Sequence, residues 1–344
     1  MSDQLDDTNF SSQTEKEMFE AIKILQGFDP SLAKEVSKQI NNSPIFIFGM
    51  GSSLLFPGSN AKRRSFQLIP ERRVEVSCPD LVLIDNMPQD SFVIIVSNSG
   101  ETYEILQAVE RLQKRNIQVF GITSKENSTL AKSCQRGIYK LQGEFEKGVA
   151  ATKSVVDQAL FLDALIHYLA QDKEFPLGIG GELTDKLAQQ MKKNFYYKIS
   201  KIILDAASIA DTYYWIGAST GLENELKLKS IEIVRKRAIY ESHTQFLHGH
   251  GETVCPKDLI IIVGYDDYIE QDKKKFTKLT KELSASILTI ETQNDGHQHL
   301  NAEVIPDYEN YSRLVAGWNF LRKVAHKLEI DIDNPRVAKK CRLE

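Results

Sequence analysis

Two short segments of this chain gather the small groups that bind an oxyanion: Ser97-Asn98-Ser99-Gly100-Glu101-Thr102 and Phe48-Gly49-Met50-Gly51-Ser52-Ser53. Each follows a short apolar run and precedes a helical pattern. A glycine lets the backbone approach a ligand. Serine and threonine hydroxyls donate hydrogen bonds. Unpaired N–H groups at a helix start add donors and a dipole that favours negative charge. A phosphate takes this set. The same serines also read as an N-cap and a Ser/Thr turn. Two such loops at adjacent strand ends favour the ligand.

Other chemistries fit less well. Gly49-Met50-Gly51 begins a dinucleotide fingerprint, but Leu54 stands where its third glycine belongs. No Gly-Lys-Ser/Thr follows a glycine loop, so there is no P-loop. His297 and His299 form an H-x-H pair with no cysteine and no acidic partner at a fixed spacing, which is a weak metal motif. No metal and no cofactor are expected. The four cysteines, at 78, 134, 255 and 341, form no CxxC pair and suit a reducing, cytoplasmic setting.

The elements that must hold these loops are strands alternating with helices. PIFIFG (44–49), SFVIIVS (91–97), QVFGIT (118–123) and GIYKL (137–141) read as strands of the first half. TYYWIG (212–217), DLIIIVG (258–264) and SILTIE (286–291) read as strands of the second. Helical spacing covers 15–40, the stretch after 100, the stretch from 148, and 222–236, 268–284 and 308–328. QDKEFPLGIGGE (171–182) breaks the pattern as a linker. This alternation predicts an α/β fold of two similar lobes with parallel sheets. Ligands in such sheets sit beyond the carboxyl ends of the strands, where both hydroxyl loops fall. The 344 residues suffice for two domains, and the net charge of −4 argues against a dedicated nucleic-acid binder. The polar N-terminus lacks the apolar run of a secretory signal, and no stretch is long and apolar enough to span a membrane.

In order and spacing, GMGSS (49–53), SNSGETYE (97–104) and GVAATKSVVDQ (148–158) resemble the sugar isomerase (SIS) domain. LENELKLKSIE (222–232) resembles that family's E-x-x-L-K-L-K-E helix, and FLHGHGE (246–252) its H-G turn. DIDNPRVAKK (331–340) resembles the tail of the isomerase half of glucosamine-6-phosphate synthases. The resemblance runs over about residues 40–344. It implies two flavodoxin-like, three-layer SIS lobes, one over 15–172 with its leading helices and one over 183–330. Residues 1–14 would be a flexible tail and 331–344 an active-site tail. Ser2 stands where a glutaminase domain would carry its cysteine, so a free-standing tandem protein is expected.

Carried over by position, the resemblance implies Gly51, Ser52, Ser53, Ser97, Asn98, Ser99, Gly100 and Thr102 as phosphate and sugar ligands. Thr152 and Lys153 would lie near the sugar, and Lys340 would reach it from the tail. In the second lobe Gly264, Tyr265, Asp266 and Asp267 replace the hydroxyl loop, so one phosphate site per chain is expected. His248 matches the ring-opening histidine and Lys227 the family lysine. The catalytic glutamate departs from the pattern, because ungapped counting puts Ser230 there. Glu232 is two residues on, about 200° around a helix. Yet Glu232 precedes His248 by 16 residues, the family's usual separation, so a local shift would restore it. Glu223 and Glu225 are rival carboxylates.

The resemblance implies a phosphosugar isomerase or glucosamine-6-phosphate deaminase-like enzyme, working through an enediol or enolamine. A fructosamine 6-phosphate deglycase is the alternative within that chemistry. A non-catalytic sugar-phosphate-binding regulator is the alternative outside it, kept open by Ser230. A sugar 6-phosphate is the expected partner, with neither nucleic acid nor membrane, and a homodimer is expected because H-G segments of such folds complete a partner's site.

Overall fold

Alternation of apolar strands with amphipathic helices produces two sheets of one pattern. The computed structural model describes residues 10–171, 173–218, 221–264, 270–283, 285–291, 298–302 and 305–337. The first sheet holds β1 (Ile45–Gly49), β2 (Val74–Ser77), β3 (Phe92–Val96), β4 (Val119–Thr123) and β5 (Ile138–Lys140). The second holds β6 (Thr212–Gly217), β7 (Arg237–Ser242), β8 (Leu259–Val263), β9 (Ser286–Glu291) and β10 (Gln298–Asn301). Their orders, β2-β1-β3-β4-β5 and β10-β9-β8-β6-β7, are one topology met twice. Every pairing is parallel. The α/β class and the parallel lobes are as the alternation predicts.

β1, β3, β4 and β8 are buried along their whole length, as strands covered on both faces must be, and so read as continuous apolar runs. β2, β7 and β10 escape a reading of the sequence. They lie at sheet edges and are half-exposed, and they carry Glu75, Arg237, Glu241 and Gln298.

Seven helices position the site and join the two sheets: α1 (Gln13–Gly27), α2 (Phe56–Leu68), α3 (Tyr103–Lys114), α4 (Lys153–Ala170), α5 (Glu182–Tyr196), α6 (Leu222–Lys229) and α7 (Glu309–Lys327). The helical stretch expected over 15–40 is broken at Pro30, which leaves α1 and a second helix, Ser31–Gln39. α1 begins at Gln13, inside the segment expected to be a flexible tail, and Thr14 is fully buried; residues 1–9 lie outside the described residues. The helix expected over 222–236 leaves the α-helical register at Ser230 and continues as a π-turn, Ser230–Val234.

One apolar core runs through both halves. It joins Ile45 and Ile94 of the first sheet to Trp215 and Ile261 of the second through Leu162 of α4, Met191 of α5 and Trp318 of α7. Two smaller clusters cover the outer faces, one around Phe48 and Ile105, one around Phe246 and Ile262. The glycine-rich segment read as a linker is tied into this core by buried Phe175 and Leu177.

Candidate functional site

The chain diverges between β1 and β3. They are neighbours, but β1 leads outward to β2 and β3 leads the other way to β4. A crevice opens at the carboxyl ends of such strands, and both hydroxyl loops border it. After β1, Gly51–Ser53 makes a single tight turn with Gly51 at φ +53°. After β3, the Asn98 carbonyl accepts from the Ser124 hydroxyl (2.7 Å), the Ser124 N–H (3.1 Å) and the Thr123 hydroxyl (3.2 Å), which pins the loop to the end of β4. Gly100 sits at φ +66°, and a Cβ there would lie 2.3 Å from the Ser128 hydroxyl. Glycine is required twice over, by the dihedral and by the space.

The hydroxyls of these loops have a common polarity. Ser53 Oγ accepts from Gln158 Nε2 at 3.3 Å, Ser97 Oγ from the Gly100 N–H at 3.2 Å, and Ser99 Oγ from the Glu101 N–H at 3.2 Å. Amide nitrogens donate and do not accept. Ser53 and Ser99 therefore keep their own protons for another acceptor. Ser97 and Thr102 stand 3.2 Å apart, so one of their two protons lies between them. The turn role and the ligand role of these serines coexist: the turn uses an acceptor lone pair, and the donor remains.

Thr152 and Lys153 open α4, and a carboxylate that the sequence did not single out holds them. Glu146 is buried and accepts from the N–H groups of Thr152 (2.6 Å) and Lys153 (2.8 Å) and the hydroxyls of Thr152 (3.0 Å) and Ser154 (2.5 Å). It also accepts from Asn98 Nδ2 at 3.4 Å, which joins the serine loop to the helix start. The signal was a lone acid six residues before Thr152, hidden in a loop of several. Lys153 turns its ammonium to α1, 2.6 Å from Glu20 and 3.8 Å from Glu17.

The π-turn decides which groups of the next helix meet the first sheet. Ser230, at the family's glutamate position, is fully buried, accepts from Trp215 Nε1 at 2.8 Å and donates to the Leu226 carbonyl at 2.9 Å. It faces the core. Glu232 turns to Lys229 instead, its Oε2 2.6 Å from Lys229 Nζ, which in turn donates to Ser52 Oγ at 2.8 Å. Glu225 Oε1 lies 3.1 Å from the same ammonium. Burial alone would discharge Lys229, but Glu225 and Glu232 outweigh it and raise its pKa above the ordinary lysine value. Burial pushes the Glu225 carboxyl up, against the pull of Lys229. Lys229 is a residue that sequence reasoning missed. Counting from L-K-L-K selected Lys227, which is half-buried and has no side-chain partner among the described residues. The spacing of Glu225, Lys229 and Glu232, at i, i+4 and i+7, was the available signal. Glu223, fully desolvated, packs over Gly217 at the end of β6 and accepts from the Ala218 N–H at 2.8 Å, apart from this cluster.

His248 ends the short helix His243–Leu247, exposed, and its imidazole has no hydrogen-bond partner among the described residues. Tyr265, Asp266 and Asp267, His297 and Lys340 lie outside the described residues. The start of the tail is tied to the body of the protein. Arg235 holds the carbonyls of Asp331 (2.8 Å) and Asn334 (2.7 Å). Asp333 accepts from the N–H of Gln13 (2.6 Å) and from the N–H (2.9 Å) and hydroxyl (2.6 Å) of Thr14, so it closes the open end of α1. Among the described residues no group of three His, Cys, Asp or Glu is placed to hold a metal, and no helix is long and apolar enough to cross a membrane.

Residues 40–168 match the family model described as the SIS domain. The isomerising glutamine–fructose-6-phosphate aminotransferase of Pyrococcus horikoshii is 26% identical over 281 residues, 78% of this chain and 45% of that protein. The chain spans 23–30% of the length of three further relatives of the same description. Among solved structures, the C-terminal domain of glucosamine-fructose-6-phosphate aminotransferase from Francisella tularensis is similar with a TM-score of 0.75 and 17% identity, covering 96% of this chain and 100% of that one. Glucosamine-6-phosphate deaminase from Thermotoga maritima is similar with a TM-score of 0.71 and 21% identity, covering 96% and 99%. At such identities the structural likeness concerns the fold, and the family match concerns the first lobe: residues 40–168 of this chain carry a SIS domain.

Proposed function

We propose that this protein is an enzyme that moves a proton between C1 and C2 of a ketose or amino-sugar 6-phosphate, as an isomerase or a deaminase. The observation that carries the reading is the shared polarity of Ser53, Ser97 and Ser99. Each accepts from a protein N–H; Ser53 and Ser99 keep their own protons, and the Ser97–Thr102 pair keeps one, for a ligand rich in acceptors. The phosphate sits over these loops with the N–H groups of the turns around it. Glu232 is the base. Its Oε2 is held by the ammonium of Lys229, which aims the carboxylate, while Oε1 is left to take the proton. Lys229 also contacts Ser52, so ligand turn and base share one cation. Ser230, which kept a non-catalytic regulator in view, is accounted for by its bond to Trp215, and the π-turn supplies a carboxylate in its place.

His248 opens the sugar ring from the partner copy in a homodimer, since within its own chain it is exposed and unpartnered among the described residues. The tail, anchored by Asp333 and Arg235, brings Lys340 over the sugar. The two lobes divide at about 173–182, and the free thiols of Cys78, Cys134 and Cys255 suit the cytoplasm. Incubation with fructose 6-phosphate in deuterated water should place deuterium at C1. A fructosamine 6-phosphate run in parallel separates deglycase from isomerase. If neither substrate exchanges, the enzyme reading is overturned.

A further inference from the structure

Gln158 is an unusual residue for the middle of a buried helix face. It lies on α4, is fully buried, and its amide nitrogen donates to Ser53 Oγ at 3.3 Å. Its carbonyl oxygen is buried and has no hydrogen-bond partner among the described residues. A buried amide satisfied at one end costs stability, so packing alone gives no reason for glutamine here over methionine or leucine. Ser53 has no other side-chain hydrogen bond among the described residues. The direction of its hydroxyl therefore depends on this one neighbour. With the amide nitrogen facing it, Ser53 must point its proton outward.

Ser97 and Ser99 obtain the same polarity from backbone N–H groups of their own turn. Ser53 has no such N–H and receives its donor from across the interface with α4. We infer that Gln158 is a positioning residue that sets the Ser53 hydroxyl as a donor toward the bound anion, and so helps select an anionic ligand. This rests on the sugar-phosphate reading of the loops and adds to it a residue that touches no ligand.

The test is calorimetric titration with fructose 6-phosphate and, separately, inorganic phosphate, on the wild type and on Gln158→Met, Ser53→Ala and the double variant. Methionine keeps the volume and removes both polar ends. Gln158→Met should bind both ligands roughly 5–20-fold more weakly, as expected for one hydrogen bond to a charged group. Its thermal midpoint should stay level or rise, because an unsatisfied acceptor has gone. The double variant should bind no more weakly than Ser53→Ala, since Gln158 acts through that hydroxyl. Gln158→Glu should bind worst, because a carboxylate accepts the Ser53 proton and repels the anion. Additive losses in the double variant, or unchanged affinity in a folded Gln158→Met, overturn the inference. A wild type that binds neither ligand overturns the site reading instead, which is a separate failure.

Discussion

At the scale of single residues, the site is a matter of which way protons and charges face. Ser97→Ala with Ser99→Ala removes two donors to a charged group, each worth about 1.5–3 kcal/mol. Affinity for a hexose 6-phosphate should fall by about two orders of magnitude or more, read by titration, and an unchanged dissociation constant would remove the phosphate from these loops. Lys229 and Lys227 offer a sharper contrast. Lys229→Met leaves Glu225 and Glu232 facing each other without their shared cation, so turnover should fall at least about 100-fold. Lys227→Met should stay within a few-fold of wild type. Steady-state rates of the two variants, with circular dichroism to check folding, decide between them. The loops were legible because hydroxyl, glycine and strand end coincide in the sequence. Lys229 was not, because two lysines two residues apart face different ways, and only the local helix geometry chooses between them.

At the scale of elements, α4 is the pivot. Its Asp163 is fully buried and accepts from Asn60 of α2 at 2.8 Å and from Tyr311 of α7 at 2.7 Å, while Asn310 reaches Asn60 at 3.2 Å. Burial pushes the Asp163 carboxyl up to about 6 from 3.8, against the pull of Tyr311 and Arg64. A carboxylate whose folded value is raised favours folding while protonated. Its contribution is lost as pH rises from about 4 to about 6, and is flat above. Asp163→Asn should therefore narrow the difference between urea midpoints at pH 5 and pH 8. A wild-type-sized difference would show that other groups set the slope, such as Asp157 on the same helix, whose carboxyl burial also pushes up to about 6. Glu15 has the opposite sign. Burial works against its charge, but His326 at 2.5 Å and Arg322 outweigh it and lower the carboxyl to about 2 from 4.5. That pairing of α1 with α7 is at full strength above about 4.5 and fails as pH falls toward 2. Central strands were legible at this scale because both faces are buried. Three of the edge strands, β2, β7 and β10, and the π-turn were not, because half-exposed pairing leaves a mixed pattern and a change of helical pitch leaves none.

For the whole molecule, the exposed His248 makes assembly the first question. Sedimentation at micromolar concentration should give a species near twice the chain mass of 39.0 kDa, and a single species at the chain mass would leave His248 without a site to complete. Deleting residues 335–344 should cut turnover strongly and leave the thermal midpoint near that of the full chain, because the core ties end at Asp333. Full-rate turnover by the truncated protein would take Lys340 out of the site. The two-lobe plan was visible in the repeated alternation, but the single core shared by both halves was not, since it depends on which helices face each other across the sheets. The bond between Asp333 and the start of α1 has a mechanical consequence. The first described helix and the start of the tail meet at one knot, with Gln13 N 2.6 Å from the Asp333 carboxylate. Tension applied between the termini loads that knot before it reaches either sheet. Held in an optical trap, the molecule should yield first in a short, low-force step as Asp333 lets go of α1 and the tail peels away, well before the sheets tear.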